Sequence, residues 1–259
     1  MGGGVGLSIY GSHRVITDST LMAMPEVMIG IVPDVGAGYF FSKCKAEGVG
    51  LFLGLTGKSI HCEDIMKFGF GTHYSRDLKI VEQAFLSDQV SWSEYPHEVH
   101  QQVDLILKKV TSEVPRHPKS MKDDELELIA SLFGFSAVKK CENLHQLIDH
   151  MKSFSSENPF LKELLSYLDE SGQCCPLACH VWYQHYRNTI LAPHSDLATV
   201  FKNEFILNSQ LLLGINFQIG VNNKLLAKGD LLKTRKFEPC KLEDVKQEDV
   251  DKFFEKCEF

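Results

Sequence analysis

The sequence predicts an α/β fold with a largely helical C-terminal region. Short β-like stretches alternate with helices and glycine turns over residues 1–75, as in an α/β layer. Further along, apolar residues recur at helical spacing. A chain of 259 residues, 44% of them hydrophobic, can bury a substantial core. These observations divide the chain into a core segment, 1–75, and a helical region, 76–259, that completes the fold.

The chain opens on Met1-Gly2-Gly3-Gly4-Val5-Gly6-Leu7-Ser8. Glycines without a Cβ let a ligand approach main-chain N–H groups, and the helix-compatible Val5–Tyr10 stretch puts those groups at a helix start, where negative charge is stabilised. The run reads either as oxyanion donors or as a plain turn. Arg14–Thr17 is β-like. Gly36–Cys44 enters a helix after the Pro33-Asp34 turn, and Val49–Leu55 is an apolar helix ending at Gly57. Asp64, Ile65, Phe68 and Phe70 fit a helix followed by a short strand.

Residues 77–110 are helix-prone, with Trp92, Tyr95, Pro96 and His97 in a connection. Val114–Lys119 is an extended linker, because each proline biases its predecessor away from helix. A helix begins at Asp123-Asp124. Ser136 is expected to cap the next, which carries Val138, Cys141, Leu144, Ile148 and Met151 as one stripe. Glu157–Leu168 is amphipathic, Pro176 opens a helix through Tyr186, and Leu197–Leu213 is the strongest helix, closed by Gly214. Glu248–Phe254 ends the chain as a short helix.

The 27 basic and 34 acidic residues give a formal charge of −7, which offers no general attraction to nucleic acid or anionic lipid. No apolar run approaches the roughly 18 residues that span a bilayer. Eight cysteines show no CxxC pair and no regular spacing, which suits a reducing compartment. Cys175, Cys179 and His180 lack a second ligand pair of zinc-type spacing, and His180 and His185, five apart, do not share a helical face. No metal site is expected.

Two carboxylates stand out. Glu26 follows Pro25 and lies among Met22, Met24, Met28 and Ile29, so partial desolvation would raise its pKa toward the range useful for proton transfer. The alternative is a strand-end carboxylate facing water. Asp34 follows Pro33 in a turn, where aspartate is common because its side chain bonds nearby N–H groups.

The order of glycine triad, helix, β-like stretch, Met24-Pro25-Glu26, Ile29–Asp34 and Gly36-Ala37-Gly38 resembles the crotonase (enoyl-CoA hydratase/isomerase) superfamily. Leu55-Thr56-Gly57 with Asp64, Gly69-x-x-Thr72-His73, Glu204-Phe205, Phe217 and Gly220-Val221 extend the resemblance across most of the chain. It implies a crotonase-like fold, here partial, with N-terminal strands of the family and a loop giving a second oxyanion N–H missing before Gly2.

Within the superfamily the pattern is similar to the 3-hydroxyisobutyryl-CoA hydrolase branch, which has aspartate at the position of Asp34 where hydratases usually have glycine. Gly6 stands where two-glutamate hydratases carry a second catalytic carboxylate. The resemblance thus implies Gly3 N–H as an oxyanion donor, Glu26 as nucleophile or general base, and Asp34 as the residue that orients the substrate hydroxyl or assists proton transfer. The substrate is then an acyl-CoA thioester of valine breakdown, in mitochondria. No cofactor is expected, coenzyme A arriving as part of the substrate.

The chain beginning at Met1, with half its oxyanion hole absent, is expected to be inactive. The C-terminal part departs from the pattern: Gln218-Ile219 precede Gly220, Asn222-Asn223 replace the usual arginine, and 231–235 lack a tryptophan. A non-catalytic crotonase-fold scaffold, such as a mitochondrial ribosome subunit, and an enoyl-CoA hydratase or isomerase are the other readings.

Overall fold

The glycine run enters a helix at once, α1 (Gly3–Ile9), followed by a short strand β1 (Val15–Ile16) inside the expected β-like stretch. The computed structural model describes residues 1–87, 92–154, 158–168, 173–192, 195–226 and 235–259. The next elements are α2 (Ala37–Ser42), α3 (Val49–Thr56), α4 (Cys62–Lys67) and a second strand β2 (His73–Tyr74). Helices α5 (Leu78–Leu86) and α6 (Pro96–Val110) fill the helix-prone stretch, and α7 (Asp123–Phe133) starts where the acidic pair predicts.

The expected stripe over 138–151 is broken into α8 (Phe135–Lys140) and α9 (Leu144–Lys152). Asn143 causes the break, because its side chain accepts the Gln146 N–H and caps α9. Ser136 lies inside α8, whose cap position is Gly134. After these come α10 (Pro159–Leu168), α11 (Pro176–Leu191) with proline in its first turn, and α12 (Leu197–Leu211), capped by Asp196. Glu157, the expected start of α10, lies outside the described residues. Gly214 does not close α12; it sits at φ −79° as the cap position of α13 (Ile215–Val221). The C-terminal helix is α14 (Gln247–Asp251) with a 3-10 turn, Lys252–Phe254.

The described residues form two units. One comprises Met1–Leu7, Ala23–Ser59 and Lys122–Phe259; the other comprises Ser8–Met22 and Ile60–Met121. The boundary expected at residue 75 falls inside the second of these units. A parallel pairing of β1 with β2, Val15 opposite His73 and Ile16 opposite Tyr74, joins stretches far apart in sequence, which a linear reading cannot see. Arg14 fastens the same stretches by donating to the carbonyls of Phe70 (2.7 Å) and Gly69 (2.9 Å).

The first unit is built around α3, whose eight residues are all buried. It lies against α2, α7 and α11. Trp182 of α11 stands edge-on to Phe41, ring centres 6.2 Å apart, and Phe52 meets Phe133 at 6.1 Å. Burying each such ring contributes about 1.5–3 kcal/mol. This core is the floor on which the turns holding Glu26 and Asp34 rest.

Candidate active site

Glu26 opens a 3-10 turn, Glu26–Ile29, and is not at the end of a strand. The turn closes at Gly30, whose φ of 83° is costly for any side-chain-bearing residue and whose N–H reaches the carbonyls of Glu26 and Val27. A Cβ at Gly30 would also stand 2.7 Å from the Asn216 carbonyl, so the start of α13 presses directly on the turn.

The Glu26 side chain is 8% exposed, and its Oε2 has no hydrogen-bond partner among the described residues. Its Oε1 lies against the glycine run, where a Cβ on Gly2 would come within 2.9 Å of it. Burial pushes the Glu26 carboxyl up to about 7. The nearby carboxylates of Asp34 and Glu204 add to the rise, and a hydrogen bond to its own N–H opposes it.

Asp34 is half-buried in a tight turn where Val35 (φ 54°) and Gly36 (φ 82°) are both left-handed. Asn208 of α12 holds the approach to this turn, accepting from the Val32 N–H (2.9 Å) and donating to the Val32 carbonyl (3.0 Å). Burial first, then Glu204, raises the Asp34 carboxyl above the usual carboxylate range, against its own N–H and the Asn208 side chain. Val35 packs on Gly6, where a Cβ would stand 2.5 Å from that of Val35. A glutamate at position 6 therefore has no room beside this turn.

Glu204 of α12 is 1% exposed and accepts from the N–H groups of Gly36 (2.7 Å) and Gly38 (2.9 Å). The negative charge thus meets the first N–H groups of α2, a favourable end of the helix dipole. His185 Nε2 stands 3.6 Å from Glu204, beyond hydrogen-bond reach, and neither ring nitrogen has a partner among the described residues. In the sequence Glu204 stands out only as part of the Glu204-Phe205 motif. A carboxylate and an amide at i and i+4 on the face carrying Val200, Leu207 and Leu211 was the available signal that this helix buries polar groups.

Gly3 is exposed, at the first position of α1. Gly4 and Val5 donate to the carbonyls of Met1 (3.1 Å) and Gly2 (2.8 Å), and the Gly3 N–H has no partner among the described residues. The structure thus brings Glu26 beside the glycine run, with Asp34 near enough to raise its pKa.

Other singled-out residues are absorbed by packing. Cys174 and Cys179 point their thiols at the carbonyls of Thr56 (3.8 Å) and Leu55 (3.9 Å), while the Cys175 N–H bonds the Val27 carbonyl (2.8 Å) and burial pushes its thiol up to about 12. The paired Cys174-Cys175 thereby ties the end of α3 to the Glu26 turn. His180 bonds the Leu242 carbonyl (3.1 Å), and burial pushes it down to about 3. His73 lies in β2.

The sequence profile of the enoyl-CoA hydratase/isomerase family matches residues 1–254. The chain belongs to this family. It is 29% identical to the mitochondrial 3-hydroxyisobutyryl-CoA hydrolase of Mus musculus over 258 residues, 98% of this chain and 60% of that protein. The same enzyme of Xenopus tropicalis is 30% identical over 256 residues, with the same 98% and 60% coverage. The chain thus spans about three-fifths of the length of these relatives.

Among solved structures, a carnitinyl-CoA dehydratase from Mycobacterium thermoresistibile matches with a TM-score of 0.71 at 25% identity, over 98% of this chain and 64% of the other. An enoyl-CoA hydratase from Rhodobacter sphaeroides 2.4.1 matches at 0.69 and 21% identity, a likeness of fold alone. The fold is the crotonase fold of this family, represented here by its helical layers and two short parallel strands. Of the departures noted from the family pattern, residues 231–234 lie outside the described residues.

Proposed function

We propose that this site serves hydrolysis of an acyl-CoA thioester of the 3-hydroxyisobutyryl-CoA type. The observation that carries the proposal is a carboxylate, Glu26, that is buried, lacks a partner on one oxygen, ionises at about 7 and touches a glycine run with an open N–H. In this reading the Gly3 N–H takes the charge that develops on the thioester oxygen. Glu26 either attacks the carbonyl carbon, giving a mixed anhydride that water then hydrolyses to the free acid and regenerated carboxylate, or takes the proton from a water that attacks directly. The C–S bond breaks, coenzyme A leaves as the thiolate and is protonated, and Asp34 accepts a hydrogen bond from the substrate hydroxyl.

The relatives' names, and the aspartate at 34, favour a hydrolase over a hydratase; the absence of room at Gly6 disfavours a two-glutamate site. No cofactor enters this chemistry, since coenzyme A belongs to the substrate. A mitochondrial setting follows from the names of the relatives.

The test is release of free thiol from 3-hydroxyisobutyryl-CoA, by this chain and by a chimaera in which the mouse hydrolase supplies the part of its length that this chain does not match. By the resemblance, that part contributes the second oxyanion donor, so the chimaera is the form in which turnover is read. The chimaera should turn over and lose at least about 100-fold of its rate in Glu26→Gln. Its rate should rise with pH through about 7 as Glu26 ionises. Equal rates for the chimaera and its Glu26→Gln variant would remove Glu26 from the mechanism. A folded but inert chimaera would favour the scaffold reading.

A further inference from the structure

We propose that His13, His100 and Asp104 bind a divalent transition-metal ion of the zinc class. All three belong to the unit formed by Ser8–Met22 and Ile60–Met121. His100 and Asp104 are four apart on α6, so they stand one above the other on one helix face. His13 comes from the segment that leads into β1. One ligand atom from each lies within 4.8 Å of the other two.

The spacing suits a shared ion. His13 Nε2 is 2.8 Å from Asp104 Oδ1, His100 Nε2 is 3.9 Å from Asp104 Oδ2, and the two imidazole rings are 4.5 Å apart. Ligand atoms around a tetrahedral zinc with bonds of about 2.0–2.1 Å are separated by about 3.3 Å, so the observed distances bracket what coordination needs. Asp104 is 55% exposed and His100 is also exposed, so rotating these two side chains closes the site without disturbing the core. The other nitrogen of His13, Nδ1, is 2.9 Å from Ser12 Oγ, a contact that orients the ring with Nε2 toward the carboxylate.

A hydrogen-bonded surface pair accounts for only part of this arrangement. An exposed His13–Asp104 pair is worth at most about 1 kcal/mol and has no use for a second imidazole. His100, at 3.9 Å, makes no hydrogen bond with the carboxylate it faces. A divalent ion would use the lone pairs of both rings and the carboxylate together, with water in the fourth position. Two nitrogens and one carboxylate oxygen are donors that suit zinc and disfavour calcium or magnesium. Beside them His73 stacks on His13, ring centres 5.7 Å apart.

Bound there, the ion would cross-link the two separate stretches of chain that make this unit, clamping α6 to the segment before β1. This role is independent of the thioester chemistry proposed above.

The experiment is calorimetric titration of the chelator-treated chain with Zn2+ at pH 7.5, with Ca2+ in parallel. One equivalent of Zn2+ should bind and Ca2+ should not. His100→Ala and Asp104→Ala should each weaken Zn2+ about tenfold or more, while His97→Ala, exposed on the same helix, should leave it unchanged. The eight free cysteines are the rival ligands. Co2+ in place of Zn2+ should therefore give visible d–d absorption without a thiolate charge-transfer band. A thiolate band, no Zn2+ binding by the unsubstituted chain, or the same affinity in both ligand variants would overturn the proposal.

Discussion

The turn at Glu26 and the helix face at Glu204 bury the same side chain in opposite ways. Glu204 is 1% exposed, yet each of its oxygens accepts a backbone N–H, from Gly36 and Gly38. Glu26 is 8% exposed with Oε2 unpartnered, and its ionisation is pushed up to about 7. Burial alone thus does not mark a reactive carboxylate; what marks it is burial without full hydrogen bonding. Glu204 is a fastening for the Asp34 turn, and Glu26 is kept in a state from which it can exchange a proton.

One isosteric substitution made at both positions should separate the two roles. Glu204→Gln leaves one of two buried N–H groups facing an amide NH2, and should cost about 2–4 kcal/mol in urea unfolding at pH 7. A cost below about 1 kcal/mol would break the contrast. Glu26→Gln should act in the other direction, and only at higher pH. The Glu26 carboxyl ionises near 4.5 in a free chain and near 7 in the fold, so between those values the folded chain holds a proton that the unfolded chain has lost. Stability therefore falls as pH rises through that window, and the substitution relieves the loss. Unfolding curves should show Glu26→Gln gaining roughly 1–3 kcal/mol over the parent at pH 8 and nothing at pH 4. A gain independent of pH would point to packing instead.

The turn between the two carboxylates offers smaller tests. Gly6→Ala would drive a methyl into Val35 and should cost about 1–2 kcal/mol, read as a lowered urea midpoint with an unchanged slope. Removing the Glu204 charge should also bring the Asp34 carboxyl down toward its usual range, because Glu204 is the second cause of its elevation after burial. Carbon NMR titration of Asp34 in Glu204→Gln would register that shift. An unmoved titration would mean that burial alone sets it.

Much of the fold was legible because local signals decide it. Pro25-Glu26 and Pro33-Asp34 marked their turns, and the acidic start of α7 and the proline at α11 marked helix beginnings that the structure has. The stripe from 138 to 151 misled because apolar spacing runs on across Asn143, while the cap made by that one side chain ends the helical register. The pairing of β1 with β2 left no local trace, since two-residue strands carry no alternation to read. Of the proposed site, Glu26, Asp34 and Gly3 were chosen from motif and chemistry. Glu204 was hidden because its donors, the N–H groups of Gly36 and Gly38, are remote in sequence. The cluster at His13 was hidden for the same reason, only the i, i+4 pair on α6 being local.

The thiols beneath the Glu26 turn have a practical consequence. Cys174, Cys175 and Cys179 are sealed from solvent, and the thiols of Cys175 and Cys179 are held well above their ordinary ionisation. Since the thiolate is the form that reacts, maleimide should leave these sulfurs unlabelled until the first unit opens. Peptide mass mapping of their alkylation over time would then serve as a built-in clock for local unfolding at the very floor of the proposed catalytic turn.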